Sequence, residues 1–379
     1  YHTFIQCSRR FSMSKAAELA NLIGNINAGG GGVNRNFIVN GSQNVAQRTT
    51  STTGFSSSTA TYVTDRFFTV ANNYGTYTLT QETDSPDDFQ HSFKIDCTTA
   101  DASPASGDYL FFQHRLEGQD LQILNYGSSS AKTMTLSFYV KSNKTGNGSV
   151  GFFQTNNSFK HQSHQYTINS ANTWERKSVT IVGDTSGVIN DTVDRGFEIE
   201  WFLGGGTDFT SGSHQTTWTT LSSANRGASN LTIGTSTDDF WSITGIQLEI
   251  GQNKTGFEHE PFEATLRKCQ RFFCQTFNYG TEAANNTATN GAFMHGDSAS
   301  NYEPSVTWRY PVEMNHAPDI TLFNPESGST GQWSAGGGVV GSAGRALFIG
   351  TSSCVCDNTD TVLAGGNGWR IQLTADCEL

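Results

Sequence analysis

The stretch MTLSFYV places Met134, Leu136, Phe138 and Val140 on one side of an extended chain and Thr135, Ser137 and Tyr139 on the other, because successive side chains of a strand point to opposite faces. FEIEWFL repeats the pattern, with Phe197, Ile199, Trp201 and Leu203 inward and Glu198 and Glu200 outward. A period of two with one wet face predicts antiparallel sheet. In WSITGIQLEIG the apolar phase slips, from Trp241 and Ile243 to Ile246, Leu248 and Ile250, with Gly245 at the slip. One inserted residue that flips a strand's facing is a β-bulge, and glycine tolerates its backbone. Charged residues are only 15% of the 379, and a chain so short of the Lys, Glu and Arg that helix surfaces carry is not a mainly helical enzyme. Strands recurring between Gly-, Asn- and Ser-rich loops over residues 36–261 predict a jelly-roll β-sandwich within an all-β fold.

Two segments depart from this period. In SKAAELANLIGNI, Ala16, Leu19, Ile23 and Ile26 are spaced three, four and three apart, the seam of two heptads, and Gly29 to Gly32 follow as a hinge. Residues 1–35 therefore read as an arm, a short helix and a glycine hinge for assembly or attachment, since so short a helix is marginal in water unless it docks. PFEATLRKCQRFFCQTF has Leu266, Cys269, Gln270 and Phe273 at helical spacing behind Pro261, which predicts a linking helix over 262–276. Strand signals resume at VTWRY, ITLF and WRIQL, so 277–379 is expected to form a smaller C-terminal β-sandwich.

No catalytic signature stands out. H-E-x-x-H, G-x-S-x-G, the P-loop and the dinucleotide fingerprint are all missing from the sequence, and the chain is expected not to be an enzyme. Cys354 and Cys356 lack the second pair of a zinc site, and His161 and His164 fall on opposite faces of a strand. Asp84, Asp87, Asp88, Asp238 and Asp239 sit in turns and read as solvated loop residues. No metal or cofactor is expected. The net charge of −11 argues against a nucleic-acid partner, and no apolar run is long enough to insert in a membrane. Trp218 and Trp333 lie in polar loops outside clear alternation, where a planar ring can stack on a sugar and leave its hydroxyls to neighbouring amides; they are the glycan-contact candidates. Trp174, Trp201, Trp241, Trp308 and Trp369 fit core positions.

The ordered motifs NFIVNGSQNVAQR, YVTDRF, HRLEG, TLSFYVKS, WERKSVTIVGDTSG, ITGIQLEIG, FEHEP and LRKCQRFF, from Asn36 to Phe273, resemble tail-fibre and related virion structural proteins of tailed bacteriophages. PVEMNHAPDITLFNP (Pro311 to Pro325) resembles their C-terminal fibre domain. The resemblance implies a jelly roll similar to carbohydrate-binding modules in a homotrimeric fibre. That fibre would join other tail or capsid proteins through its N-terminus and meet host-surface carbohydrate on the extracellular particle. It also implies that Asp65 and Arg66, like Arg115 and Glu117, are buried ion pairs tying strands together. Such modules often carry an acidic calcium ligand in the last strand, where this chain has Thr244 and Gly245. The alternatives are a head fibre or capsid decoration protein and, from another class, a polysaccharide depolymerase using two carboxylates.

Overall fold

The computed structural model describes residues 15, 16, 19, 20, 23, 35–156, 159–283, 290–295, 305–335, 338–358 and 368–379. Two antiparallel sheets form the first sandwich. One runs β1 (Ser51–Phe55), β4 (Thr76–Glu82), β5 (Ser92–Thr99), β13 (Phe240–Ile250), β7 (Met134–Ser142) and β10 (Glu175–Ile181). The other runs β12 (Thr219–Thr220), β9 (Lys160–Ile168), β8 (Gly146–Gln154), β11 (Arg195–Gly205), β6 (Tyr109–Glu117), β3 (Phe67–Asn72) and β2 (Thr61–Tyr62). Neighbouring strands distant in sequence, such as β5 beside β13, make this the jelly-roll arrangement that the alternation predicts.

The apolar phases read from the sequence meet between the sheets. Met134, Leu136, Phe138, Val140, Phe197, Ile199, Trp201 and Leu203 are all buried in one cluster. Phe112 bridges the layers, 5.6 Å from the ring of Trp241 and 5.8 Å from that of Trp201, and Trp241 Nε1 donates to Tyr166 Oη at 3.2 Å. The slip in β13 is a bulge: its register with β7 shifts between Thr244 and Gln247, and Gly245 has φ +60°. Phase is thereby restored, so Ile246, Leu248 and Ile250 are as buried as Trp241 and Ile243.

The outward faces are drier than alternation alone predicts. Glu198 and Glu200 are buried, Glu200 in a two-pronged pair with Arg226 and Glu198 between Arg115 and Arg195. Arg226 also packs over Phe111, Phe202 and Phe209, so the chain's own loops roof much of the seven-stranded sheet. A polar face can turn toward a polar segment as readily as toward water, and strand periodicity does not distinguish the two.

The linking helix is shorter than predicted. It spans Phe262–Gln270, and β14 (Phe273–Gln275) is a strand where 262–276 was read as helix, because Cys274 is drawn into a second core. That core lies within an eight-stranded sheet: β14, β21 (Trp369–Asp376), β18 (Gln332–Ala335), β19 (Gly338–Leu347), β20 (Ser353–Asn358) and β16 (Ser305–Arg309), with β15 (Phe293–His295) and β17 (Asp319–Phe323) also pairing with β21. Of the predicted assembly seam, Ala16, Leu19 and Ile23 are helical and exposed, and Ile26 lies outside the described residues. No helix among the described residues is long and apolar enough to cross a membrane.

Candidate functional site

Neither predicted glycan tryptophan presents a free ring. Trp333 is fully buried in the second core, where Nε1 donates to the Asp357 carbonyl at 3.0 Å; this corrects its assignment as a glycan contact. Its surroundings are polar in sequence, yet the segment forms strand β18 and the ring folds inward into the cluster that holds Trp308. Trp218 is half-buried, edge-on to Tyr126 and Phe197, with Nε1 on the Val182 carbonyl at 2.7 Å. It closes one end of the sandwich.

A group of partly exposed aromatics, Trp174, Tyr139 and Phe89, lies instead on the outer face of the six-stranded sheet. Along WERKSVTI, Val179 and Ile181 face the core, so Arg176 and Trp174 fall on the outward phase. Trp174 is accordingly half-buried at the start of edge strand β10 rather than in the core. Its Nε1 donates to Asp84 Oδ1 at 3.2 Å, and Lys141 Nζ meets Asp84 Oδ2 at 2.7 Å. The Lys141 hydrogen bond, against some burial, holds the Asp84 carboxyl below its ordinary value. Asp84, read from sequence as a solvated turn residue, therefore fixes both an indole and an ammonium. Asp239, read the same way, is buried and pairs with Lys144.

Registers lay out the rest of the face. Arg176 is opposite Tyr139, and Tyr139 is opposite Thr244. Ser242 is opposite both Lys141 and Lys94. Lys94 bridges Glu82 at 3.6 Å and Asp96 at 3.0 Å and lies 5.1 Å from the ring of Phe240; although burial lowers its proton affinity, the two acids raise it overall.

Half of this face is covered. Residues 251–257 fold over Ser137, Gln247 and Glu249, with Thr255 donating to Glu249 and Gln247 to the Gly256 carbonyl. At the boundary Phe89 contacts Tyr139, Phe257 and His259 at 5.0–5.4 Å. The bulge sets this rim: a Cβ on Gly245 would lie 2.7 Å from Phe89 Cζ and 2.8 Å from Tyr139 Cδ2. Partly exposed rings thus alternate with hydrogen-bonding groups held by ion pairs. Such a surface can stack a flat apolar ligand face and bond its hydroxyls.

Other polar clusters are structural. A cavity of about 490 Å³ opens beside Phe37, Arg66, Glu117, Lys268 and Arg271, but its cations are paired, Arg66 with Glu378, Lys268 with Glu260 and Arg271 with Glu117. The implied strand-tying pairs are therefore real in kind but differently matched: Asp65 accepts from Gln47 and faces Arg48, and Arg115 meets Glu198. Cys354 and Cys356 are buried thiols with sulfurs 3.9 Å apart. Among the described residues no three His, Cys, Asp or Glu side chains converge as a metal site.

No protein-family model and no curated protein matches the chain. Solved structures that resemble it include the enzymatically active domain of tailspike protein 4 of bacteriophage CBA120, at 13% identity over 57% of this chain and 21% of that one, with a TM-score of 0.29. The chain thus spans about a fifth of the length of that domain. A family 11 carbohydrate-binding module of Clostridium thermocellum in complex with a mixed-linked tetrasaccharide matches at 10% identity over 56% of this chain and 99% of that one, TM-score 0.28. TmCBM61 with galactotriose matches at 7% identity over 57% and 99%, TM-score 0.26. Scores this low bear on neither fold nor function.

Proposed function

We propose that the chain is a non-catalytic structural adhesin of a tailed-phage particle, a tail fibre that assembles through its N-terminal helix and takes host-surface glycans on the outer face of the six-stranded sheet. The observation that carries the glycan reading is the pairing of Trp174 with Asp84 and Lys141 beside Tyr139: rings set at fixed angles next to charged groups that keep capacity for a sugar's hydroxyls. The motif order from Asn36 to Phe273 supports the virion setting, and the exposed Leu19 and Ile23 leave an apolar seam for the other copies of a homotrimer.

Surface plasmon resonance against immobilised bacterial lipopolysaccharides and capsular polysaccharides tests this reading. The full chain should bind at least one, and W174A and Y139A should each weaken it about tenfold or more with an unchanged melting temperature, the loss expected when an aromatic anchor worth more than about 1.4 kcal/mol is truncated. Binding that is absent throughout, or indifferent to both substitutions, counts against it. Release of reducing ends from a bound polysaccharide would instead establish a depolymerase.

A further inference from the structure

Among the described residues ten arginines have a carboxylate partner, Arg35, Arg48, Arg66, Arg115, Arg195, Arg226, Arg267, Arg271, Arg345 and Arg370, and Arg309, which has none, is exposed on a strand. Arg176 is different. Its Nη2 donates to Ser137 Oγ at 3.2 Å and to the Thr255 carbonyl, and its Nε is buried without a hydrogen-bond partner. Neither it nor half-buried Lys254 has a carboxylate within ion-pairing distance among the described residues.

The nearby acids are engaged elsewhere. Glu175 pairs with Lys177 at 2.5 Å and accepts from Asn169 and Ser170, which hold its carboxyl down at about 2 against the effect of burial. Glu249 is bonded by Thr255 and Gln247 and faces Arg35 at 3.8 Å. Burial first, then the charges of Arg176 and Lys177, lowers the proton affinity of Lys254. The guanidinium carbon of Arg176 lies 5.7 Å from the Tyr139 ring, so this unbalanced positive corner adjoins the aromatic rim.

We propose that this corner is an anion subsite: Arg176 and Lys254 take the carboxylate or phosphate of an acidic sugar whose ring lies against Tyr139. An oxyanion supplies the countercharge that the fold withholds from this partly buried pair of cations, and a guanidinium offers it paired donors. The proposal rests on the glycan reading above and names the class of glycan.

Equilibrium binding of the full chain to polygalacturonate, to the same polymer after carboxyl reduction, and to a glycerol-phosphate teichoic acid tests it. The expected result is binding to the uronate or phosphate polymer, at least tenfold weaker binding to the reduced one, and a similar loss in both R176Q and K254Q, with affinity that falls as salt is raised and does so less steeply in the variants. Arg176 also ties down Thr255, so melting temperatures are measured alongside; K254Q removes a charge that makes no hydrogen bond among the described residues and remains decisive if R176Q is unstable. Equal affinity for the charged and reduced polymers, or wild-type affinity in K254Q, overturns the anion subsite. If such neutral binding is still lost in W174A, the glycan reading stands without it; if W174A and Y139A leave every affinity unchanged, the glycan reading itself falls.

Discussion

His161 lies on the outward side of β9, its ring 4.6 Å from Phe153 and neither nitrogen hydrogen-bonded. Burial first, and then Arg226, pushes its pKa down to about 3, while burial and His214 take His164 to about 4. Below pH 6.5 the unfolded chain binds a proton at each site that the folded chain refuses, so folding stability must fall with pH through that window, by about 1.4 kcal/mol per pH unit for each histidine until the folded value is reached. Asp65 and Glu198, raised by burial, act in the opposite sense, which makes the difference between variants the clean measurement. H161F preserves the ring stack, needs no hydrogen bond and should flatten the dependence between pH 6.5 and 4 by that amount in denaturant titrations; an unaltered slope would refute the assignment. At this scale the tryptophans show where sequence reading succeeds and fails. Trp201 and Trp241 stand on apolar phases that the strand pattern reveals and are buried as expected, whereas Trp174, expected in the core, stands on the same outward phase as Arg176, Ser178 and Thr180 and is half-buried. Trp333 also lies on a strand, β18, but its sequence shows no apolar alternation, and only the packing of the second core decides that it is inside.

Among the elements, β13 links sequence to site most directly. The phase slip at Gly245 is legible because a single residue must be absorbed for both halves of the strand to face the core. What the bulge is for is not legible, since Phe89 reaches it from 156 residues away and Phe257 packs on Phe89. G245A should cost about 1–2 kcal/mol, as alanine resists the left-handed backbone, and its Cβ should push Phe89 and Tyr139 apart. Glycan affinity should then fall together with the melting temperature; a variant with native stability and native binding would show that the bulge does not shape the rim. The helix Phe262–Gln270 teaches the converse. Its amphipathic spacing continues formally to Phe273, but β21 offers unpaired backbone and the second core a place for Cys274, and pairing prevails over local periodicity.

Across the whole molecule the two sandwich regions are sutured rather than strung together. Glu117 of β6 receives Arg271 at 2.9 Å and Asn315, Arg66 stacks 3.3 Å over Phe272 and pairs with Glu378, and Gln47 donates to the Phe273 carbonyl at 2.8 Å. Removing one partner of a buried pair costs about 3–5 kcal/mol because the other charge is left stranded. Calorimetry of the full chain should therefore show one unfolding transition, and R271A should split it or lower its midpoint by several degrees; two separate transitions already present in the wild type would rule out the suture. The alternating apolar residues by themselves determined the all-β class, the inward faces of β7, β11 and β13, and the bulge, because a strand's periodicity is a local property of its backbone. Which polar faces stay open, which charges find partners and which aromatic rings reach solvent were decided only in the tertiary structure. Those outcomes depend on segments hundreds of residues apart covering one face and leaving another, and no local pattern encodes that choice.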